Sequence, residues 1–167
     1  MLAIVDALLA QGPTVLLGSS LGGYVATLAA DRAPARVPGL VLFAPAFDFA
    51  TRWQARLGAD EVARWRALGT TPVFHYGRGR DEPLAIDLLD DAATHPAEPD
   101  PHCPTLIFAG RRDDTVPLAS VEHFAHARAR RALLVLDAGH ELTEVLDPMW
   151  TRTVAFLRNL GAVPASY

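Results

Sequence analysis

Four short apolar runs punctuate the chain: Val15-Leu16-Leu17, Gly39 to Ala44, Leu106-Ile107-Phe108-Ala109 and Leu133-Leu134-Val135-Leu136. They are continuously apolar rather than alternating and are bounded by turn residues, which predicts short strands buried on both faces, as in a parallel sheet. Between them the apolar positions recur at helical spacing. Leu2, Val5, Leu8 and Leu9 predict a helix ahead of the first run, closed by Gln11-Gly12-Pro13. A second helix is predicted up to about Arg32, with small Gly22, Gly23 and Ala26 on its first turns, and Ala33-Pro34 and Pro38 punctuate the link to the next strand. A third is predicted from Pro117 to about Arg128. The last is expected to start at Asp147-Pro148, an N-cap followed by proline, and to present Trp150, Val154 and Leu157 on one face. Strands alternating with helices define the α/β class with a mostly parallel sheet flanked by helices.

Residues 47–101 interrupt the alternation. They carry helix-like stretches at Glu61 to Leu68 and Leu84 to Ala93, and they gather Phe47, Phe49, Trp53, Trp65, Phe74 and Tyr76. These aromatics suit either the wall of a substrate pocket or the insertion's own small core. The length of 167 residues and a hydrophobic content of 50% fit one domain with this insertion inside it.

The chemistry concentrates at three strand ends. Gly18-Ser19-Ser20-Leu21-Gly22-Gly23 directly follows the first apolar run and opens the second helix. This is Gly-x-Ser-x-Gly at a strand-to-helix turn, where a serine is lifted out of the backbone as a nucleophile. Such a turn forces the serine into a strained conformation, and side chains at Gly18 and Gly22 are expected to collide with neighbouring backbone. After the third run comes Gly110-Arg111-Arg112-Asp113-Asp114-Thr115-Val116-Pro117, and after the fourth Asp137-Ala138-Gly139-His140. Ser20, Asp113 and His140 therefore each follow a predicted strand, and in a parallel sheet those ends share one edge. Singly they read as a turn serine, a helix-entry cap and a loop histidine. Together, in the order Ser, Asp, His, they suit nucleophile, orienting acid and general base. Asp114 is the rival acid; Asp113 is preferred for its third position after Gly110, and Asp114 is placed to face solvent or cap the helix.

These segments resemble the α/β-hydrolase superfamily. The resemblance covers Gly18 to Gly23, the strand region Val37 to Ala46, the Gly110-x-x-Asp113-x-x-Val116-Pro117 turn and Gly139-His140, and is loose only from about Phe47 to Pro101. Within the superfamily, Gly-Ser-Ser-Leu-Gly-Gly and Cys103-Pro104 are similar to small bacterial serine esterases and acyl-protein thioesterases. The resemblance implies an α/β-hydrolase fold in which residues 47–101 are a lid-like insertion. It also implies several strands ahead of the nucleophile, including one whose His-Gly loop supplies half of the oxyanion hole. Only about a dozen residues precede the nucleophile strand. The expectation is an N-terminally truncated hydrolase whose second oxyanion donor lies outside these residues. Thr14 to Leu17 would then form an exposed apolar sheet edge. Covering that edge by homodimerisation is the alternative.

Other features narrow the function. With 15 basic and 19 acidic residues, a nucleic-acid surface is not expected, and Arg128, Arg130 and Arg131 read as a solvated helix end. Every basic residue is arginine, which excludes a phosphate-loop lysine, a Schiff base and a Ser-x-x-Lys pair, and together with abundant Ala, Gly and Pro points to a GC-rich bacterial genome. Cys103 is alone and reads as a packed side chain. Among His75, His95, His102, His123 and His126 no set has the ligands for a metal, and no dinucleotide fingerprint is present, so no cofactor is expected. No apolar run is long enough to cross a membrane and the start is not a signal peptide, which makes a cytoplasmic location the default.

The expected activity is that of a serine hydrolase acting on a small-molecule carboxylic ester or thioester. Ser20 attacks the acyl carbonyl, His140 moves the proton, Asp113 orients the imidazole, and the Leu21 N–H is an oxyanion donor. The alternative is a catalytically impaired hydrolase-fold binding module or an inactive truncation product.

Overall fold

The computed structural model describes residues 2–75 and 78–164. The elements run α1 (Leu2–Leu9), β1 (Leu16–Ser19), α2 (Leu21–Arg32), β2 (Leu40–Phe43), α3 (Phe49–Leu57), α4 (Ala59–Leu68), β3 (Thr70–His75), β4 (Arg80–Ala85), α5 (Asp87–Ala93), β5 (Thr105–Gly110), α6 (Leu118–His126), β6 (Arg131–Leu136), a 3-10 turn at Thr143–Val145, and α7 (Leu146–Asn159). They fall into two compact units, Met1–Phe47 with Glu98–Tyr167, and Asp48–Ala97.

The first unit is a four-stranded sheet in the order β1-β2-β5-β6, with every pair parallel. Its central strands are the most apolar: all six residues of β5 are buried, and Leu40, Val41 and Leu42 of β2 are fully so. Val41, Leu106 and Phe108 pack with Ala138, Leu142 and Met149 into one core cluster, joined by Phe43, Leu134, Leu136 and Phe156. Leu40, Leu42 and Ile107 alternate with them and face the other side of the sheet. β1 is a terminal strand, with Leu17 half exposed.

The second unit is a helical pair, an antiparallel hairpin and a short helix. Trp65 is fully buried and its indole N–H donates to Leu84 O at 3.0 Å, while Phe49 packs tilted on Trp53 and Trp53 edge-on to Trp65, at centroid separations of 4.9 and 5.5 Å. These three aromatics form the unit's own core. Phe47 belongs to the first unit, against Phe124 at 4.2 Å. Tyr76 lies outside the described residues. The hairpin of β3 and β4 and the helix α3 were not anticipated, and Leu84 lies in a strand instead of starting a helix.

Two expectations about the C-terminal third are corrected. The last helix starts at Leu146, after the 3-10 turn, which moves Asp147 from N-cap into the first turn, where its charge still favours the helix. Its buried face carries Met149 and Thr153, with Phe156 packed on the core cluster, whereas Trp150 is 66% exposed. The arginines are not a uniformly solvated helix end either. Arg131 opens β6 with its side chain 1% exposed. Its guanidinium donates to Phe124 O at 2.8 Å, Asp100 Oδ1 at 2.6 Å and Pro101 O at 3.1 Å, and lies 3.7 Å over the Phe124 ring. Burying a cation is tolerable only with such pairing, which here engages both terminal nitrogens and leaves the buried Nε without a hydrogen-bond partner.

Arg128 also donates to Asp100, and this hydrogen bond, ahead of that from Arg131, holds the Asp100 carboxyl down to about 2 from its ordinary 3.8. A depressed carboxylate pKa contributes stability above the unfolded value that is lost as pH falls through the folded one. Folding stability should therefore decline between about pH 4 and about pH 2. In Asp100→Asn this component should be missing, leaving a less stable protein at neutral pH and a flatter acid limb, as checked by urea denaturation across that range.

Candidate active site

Ser20 follows β1 immediately and opens α2, with φ 51° and ψ −120°, a combination an L-residue adopts only under compulsion. The compulsion is a ring of main-chain hydrogen bonds. Ser20 N–H donates to Phe43 O at 2.9 Å, and Ser20 O accepts from Gly23 at 3.0 Å, Tyr24 at 3.2 Å and Ala46 at 3.0 Å. The turn is tight enough that a Cβ at Gly18 would stand 2.4 Å from Gly22 O, so the strand can enter the helix only through glycine. Gly22 itself has open space where a side chain would go, contrary to expectation; the second close approach is at Gly23, whose Cβ would lie 3.0 Å from that of Pro45.

Asp113 lies three residues beyond β5. Its Oδ1 accepts the N–H groups of Thr115 and Val116, both at 2.8 Å, which fixes the carboxylate plane and leaves Oδ2 to meet His140 Nδ1 at 2.8 Å. His140 Nε2 in turn lies 3.0 Å from Ser20 Oγ. An ionised carboxylate only accepts, so this arrangement puts the ring proton on Nδ1 and leaves Nε2 as the acceptor facing the hydroxyl. The Asp113 and His140 side chains are 3% and 16% exposed, which strengthens both contacts relative to water. Asp114 is exposed and accepts the Thr115 hydroxyl at 3.1 Å.

Ser20, Asp113 and His140 thus meet in one hydrogen-bonded chain. Leu21 is the first residue of α2, so its N–H is one of those a helix cannot satisfy internally, and the positive end of the helix dipole lies there. The histidine loop is anchored by Leu142, which takes a left-handed φ of 56° and buries its side chain to 1% exposure. Neither Leu142 nor the similarly strained Ala44, at φ 44°, was singled out from sequence, because nothing in their residue types announces positive φ. Away from this edge, burial pushes the Cys103 thiol up, away from the thiolate a nucleophile needs. Among the described residues no cluster of His, Cys, Asp or Glu could hold a metal, and no helix is long and apolar enough to cross a membrane.

A parallel sheet with a Gly-x-Ser-x-Gly turn after one strand, and an acid and a histidine after two later ones, is the α/β-hydrolase fold. Within it, the chain belongs to Uncharacterised protein family UPF0227, whose sequence model matches residues 1–158. It is 31% identical over 120 residues to the mitochondrial palmitoyl-protein thioesterase ABHD10 of Bos taurus, a match covering 70% of this chain and 39% of that protein. Mouse alpha/beta hydrolase domain-containing protein 10 superposes with a TM-score of 0.73 at 23% identity, over 95% of this chain and 68% of that one. Est1E of Butyrivibrio proteoclasticus, solved with ferulic acid bound, gives 0.74 at 19% identity, over 97% of this chain and 66% of that one. The chain thus spans 39% of the curated relative and about two thirds of the solved ones.

The strain at Ser20 carries a measurable consequence. Glycine adopts that conformation freely, so Ser20→Gly should raise folding stability by about 1–2 kcal/mol, whereas Gly18→Ala should lower it sharply through its clash with Gly22 O. Chemical denaturation of the two variants beside the parent tests both signs; a destabilised Ser20→Gly would show that the turn stores no strain.

Proposed function

We propose that this chain is a serine hydrolase that cleaves carboxylic ester or thioester bonds through an acyl-serine intermediate. The observation that carries the reading is the continuous chain Asp113 Oδ2 to His140 Nδ1 and His140 Nε2 to Ser20 Oγ, at 2.8 and 3.0 Å. Ser20 Oγ attacks the acyl carbon while His140 Nε2 takes its proton, and the resulting imidazolium is stabilised by Asp113 without proton transfer to the carboxylate. The carbonyl oxygen becomes an oxyanion, for which the Leu21 N–H at the start of α2 is the proposed donor. His140 then protonates the leaving alkoxide or thiolate. In the second half, His140 deprotonates a water that attacks the acyl-serine, and the carboxylic acid departs with Ser20 restored.

Kinship to a thioesterase supports acyl transfer as the reaction class. The substrate class is read as a small acyl ester or thioester, and residues 47–101 as the lid-like insertion that sets acyl preference.

A fluorophosphonate serine-hydrolase probe should label the purified chain, and Ser20→Ala should abolish labelling and reduce turnover of p-nitrophenyl acetate by roughly a millionfold with folding intact. A labelled Ser20→Ala protein would move the nucleophile elsewhere. An unlabelled but folded parent chain would instead favour a hydrolase fold serving as a binding module. Asp113→Asn should cost about ten-thousandfold, as loss of the orienting carboxylate does in other triads, and Asp114→Asn little; the reverse ranking would shift the acid by one position.

A further inference from the structure

The loops after β5 and β6 grip each other at more points than Asp113 and His140. Arg111 N–H donates to Leu136 O at 2.7 Å and Arg112 N–H to Ala138 O at 3.0 Å. Gly110 makes room for this, since a Cβ there would stand 2.5 Å from the carbonyl oxygens of both Ala138 and Gly139. The Arg112 side chain then crosses to Asp137: Nη2 donates to the main-chain oxygen at 2.9 Å, and Nε lies 2.9 Å from Oδ1 in an ion pair. One planar guanidinium therefore fixes both the backbone and the carboxylate of a residue three places before His140.

We propose that Arg112, acting on Asp137, is a positioning residue that holds the 137–140 turn where His140 Nε2 meets Ser20 Oγ; this rests on reading Ser20, His140 and Asp113 as the catalytic triad. Arg112 and Asp113 are sequence neighbours, so one stretch of loop adds two separate side-chain grips to the main-chain bonds that hold the histidine loop. Asp113 secures the ring at Nδ1. Without the second grip, the ring can pivot about that bond and carry Nε2 away from the hydroxyl. From the far side Glu144 Oε1 accepts the Gly139 N–H at 3.5 Å, and main-chain donors, with a lesser contribution from Arg112, hold the Glu144 carboxyl below its usual range.

Exposure separates this role from simple stabilisation. Arg112 and Asp137 are 60% and 79% exposed, and ion pairs so open to water contribute little to global folding. Loss of the pair should therefore register in rate and leave the melting temperature nearly unchanged. Arg112→Ala should lower kcat for p-nitrophenyl acetate, and the rate of fluorophosphonate labelling, by about three- to tenfold with KM unchanged. Arg112→Lys, a point charge lacking the fork, should recover part of the loss. Asp137→Ala leaves the main-chain oxygen in place and should cost less, and the double variant should match Arg112→Ala because both changes break one interaction. Unchanged rates in Arg112→Ala, or additive losses in the double variant, would overturn the proposal. Failure of the underlying reading looks different, since Ser20→Ala would then remain labelled. If the parent chain is not labelled, the His140 Nδ1–H proton decides by NMR. It should exchange with solvent severalfold faster in Arg112→Ala than in the parent, and equal exchange would refute the positioning role.

Discussion

Parallel strands present all their carboxyl ends at one edge, and the ladder joining β1, β2, β5 and β6 is the constraint on which the rest of the site depends. It brings together two side chains that are 120 residues apart in the chain, Ser20 and His140, at 3.0 Å. The ladder is strongest where it is driest: β5 is buried throughout and pairs on both sides, so every residue of its register is fixed by burial on two faces. Because the acid loop grows out of β5 and the elbow and histidine loop out of the edge strands, Asp113 is the fixed member to which the other two are brought.

Holding that edge in shape requires backbone that is locally unfavourable. Ser20, Ala44 and Leu142 all take positive φ, and Gly18 and Gly110 sit where no side chain fits. Each such residue costs on the order of 1–3 kcal/mol and persists only if its surroundings over-determine it. The surroundings do so with main-chain hydrogen bonds: Ser20 by Phe43 and Ala46, Ala44 by Phe108, and the turn after β5 by Leu136 and Ala138. The strain is thus concentrated in the loops at the carboxyl edge, while the strands beneath have ordinary geometry. This distribution is expected where reactive groups must stand clear of a rigid scaffold.

What was legible in the sequence follows the same physics. The central strands β2 and β5 could be read because burial on both faces leaves an uninterrupted apolar run; the edge strands β1 and β6 carry the same kind of run although Leu17 is half exposed and most of β6 is only partly buried, and the candidate site was signalled locally by its glycines and its Ser-Asp-His order. The hairpin of Thr70–His75 and Arg80–Ala85 was not, since Pro72 and Pro83 argue against strands and the second half opens on the charged Arg80, Asp81 and Glu82. Burial of Arg131 was equally hidden. Three arginines within four positions look alike, and the one that goes inside is chosen by Asp100, 31 residues earlier. On α7 the helical period allowed more than one apolar stripe, and the core took the stripe bearing Met149, Thr153 and Phe156, leaving Trp150 outside.

One tension remains within the fold. The strand that carries Ser20 is also a terminal strand, hydrogen-bonded on one side by β2, with Leu17 bordering an apolar groove formed with Phe43, Leu146, Met149, Trp150 and Thr153. A strand held from one side is ordinarily the least rigid part of a sheet. In this chain the rigidity comes from the turn itself. Gly18 lies against the Gly22 carbonyl, and Ser20 O is shared by the first turn of α2 and by Ala46 beyond β2, so strand, helix and neighbouring loop are tied at a single residue. The position of Ser20 is therefore determined by main chain packed against main chain. That contact depends on the absence of side chains at Gly18 and Gly23.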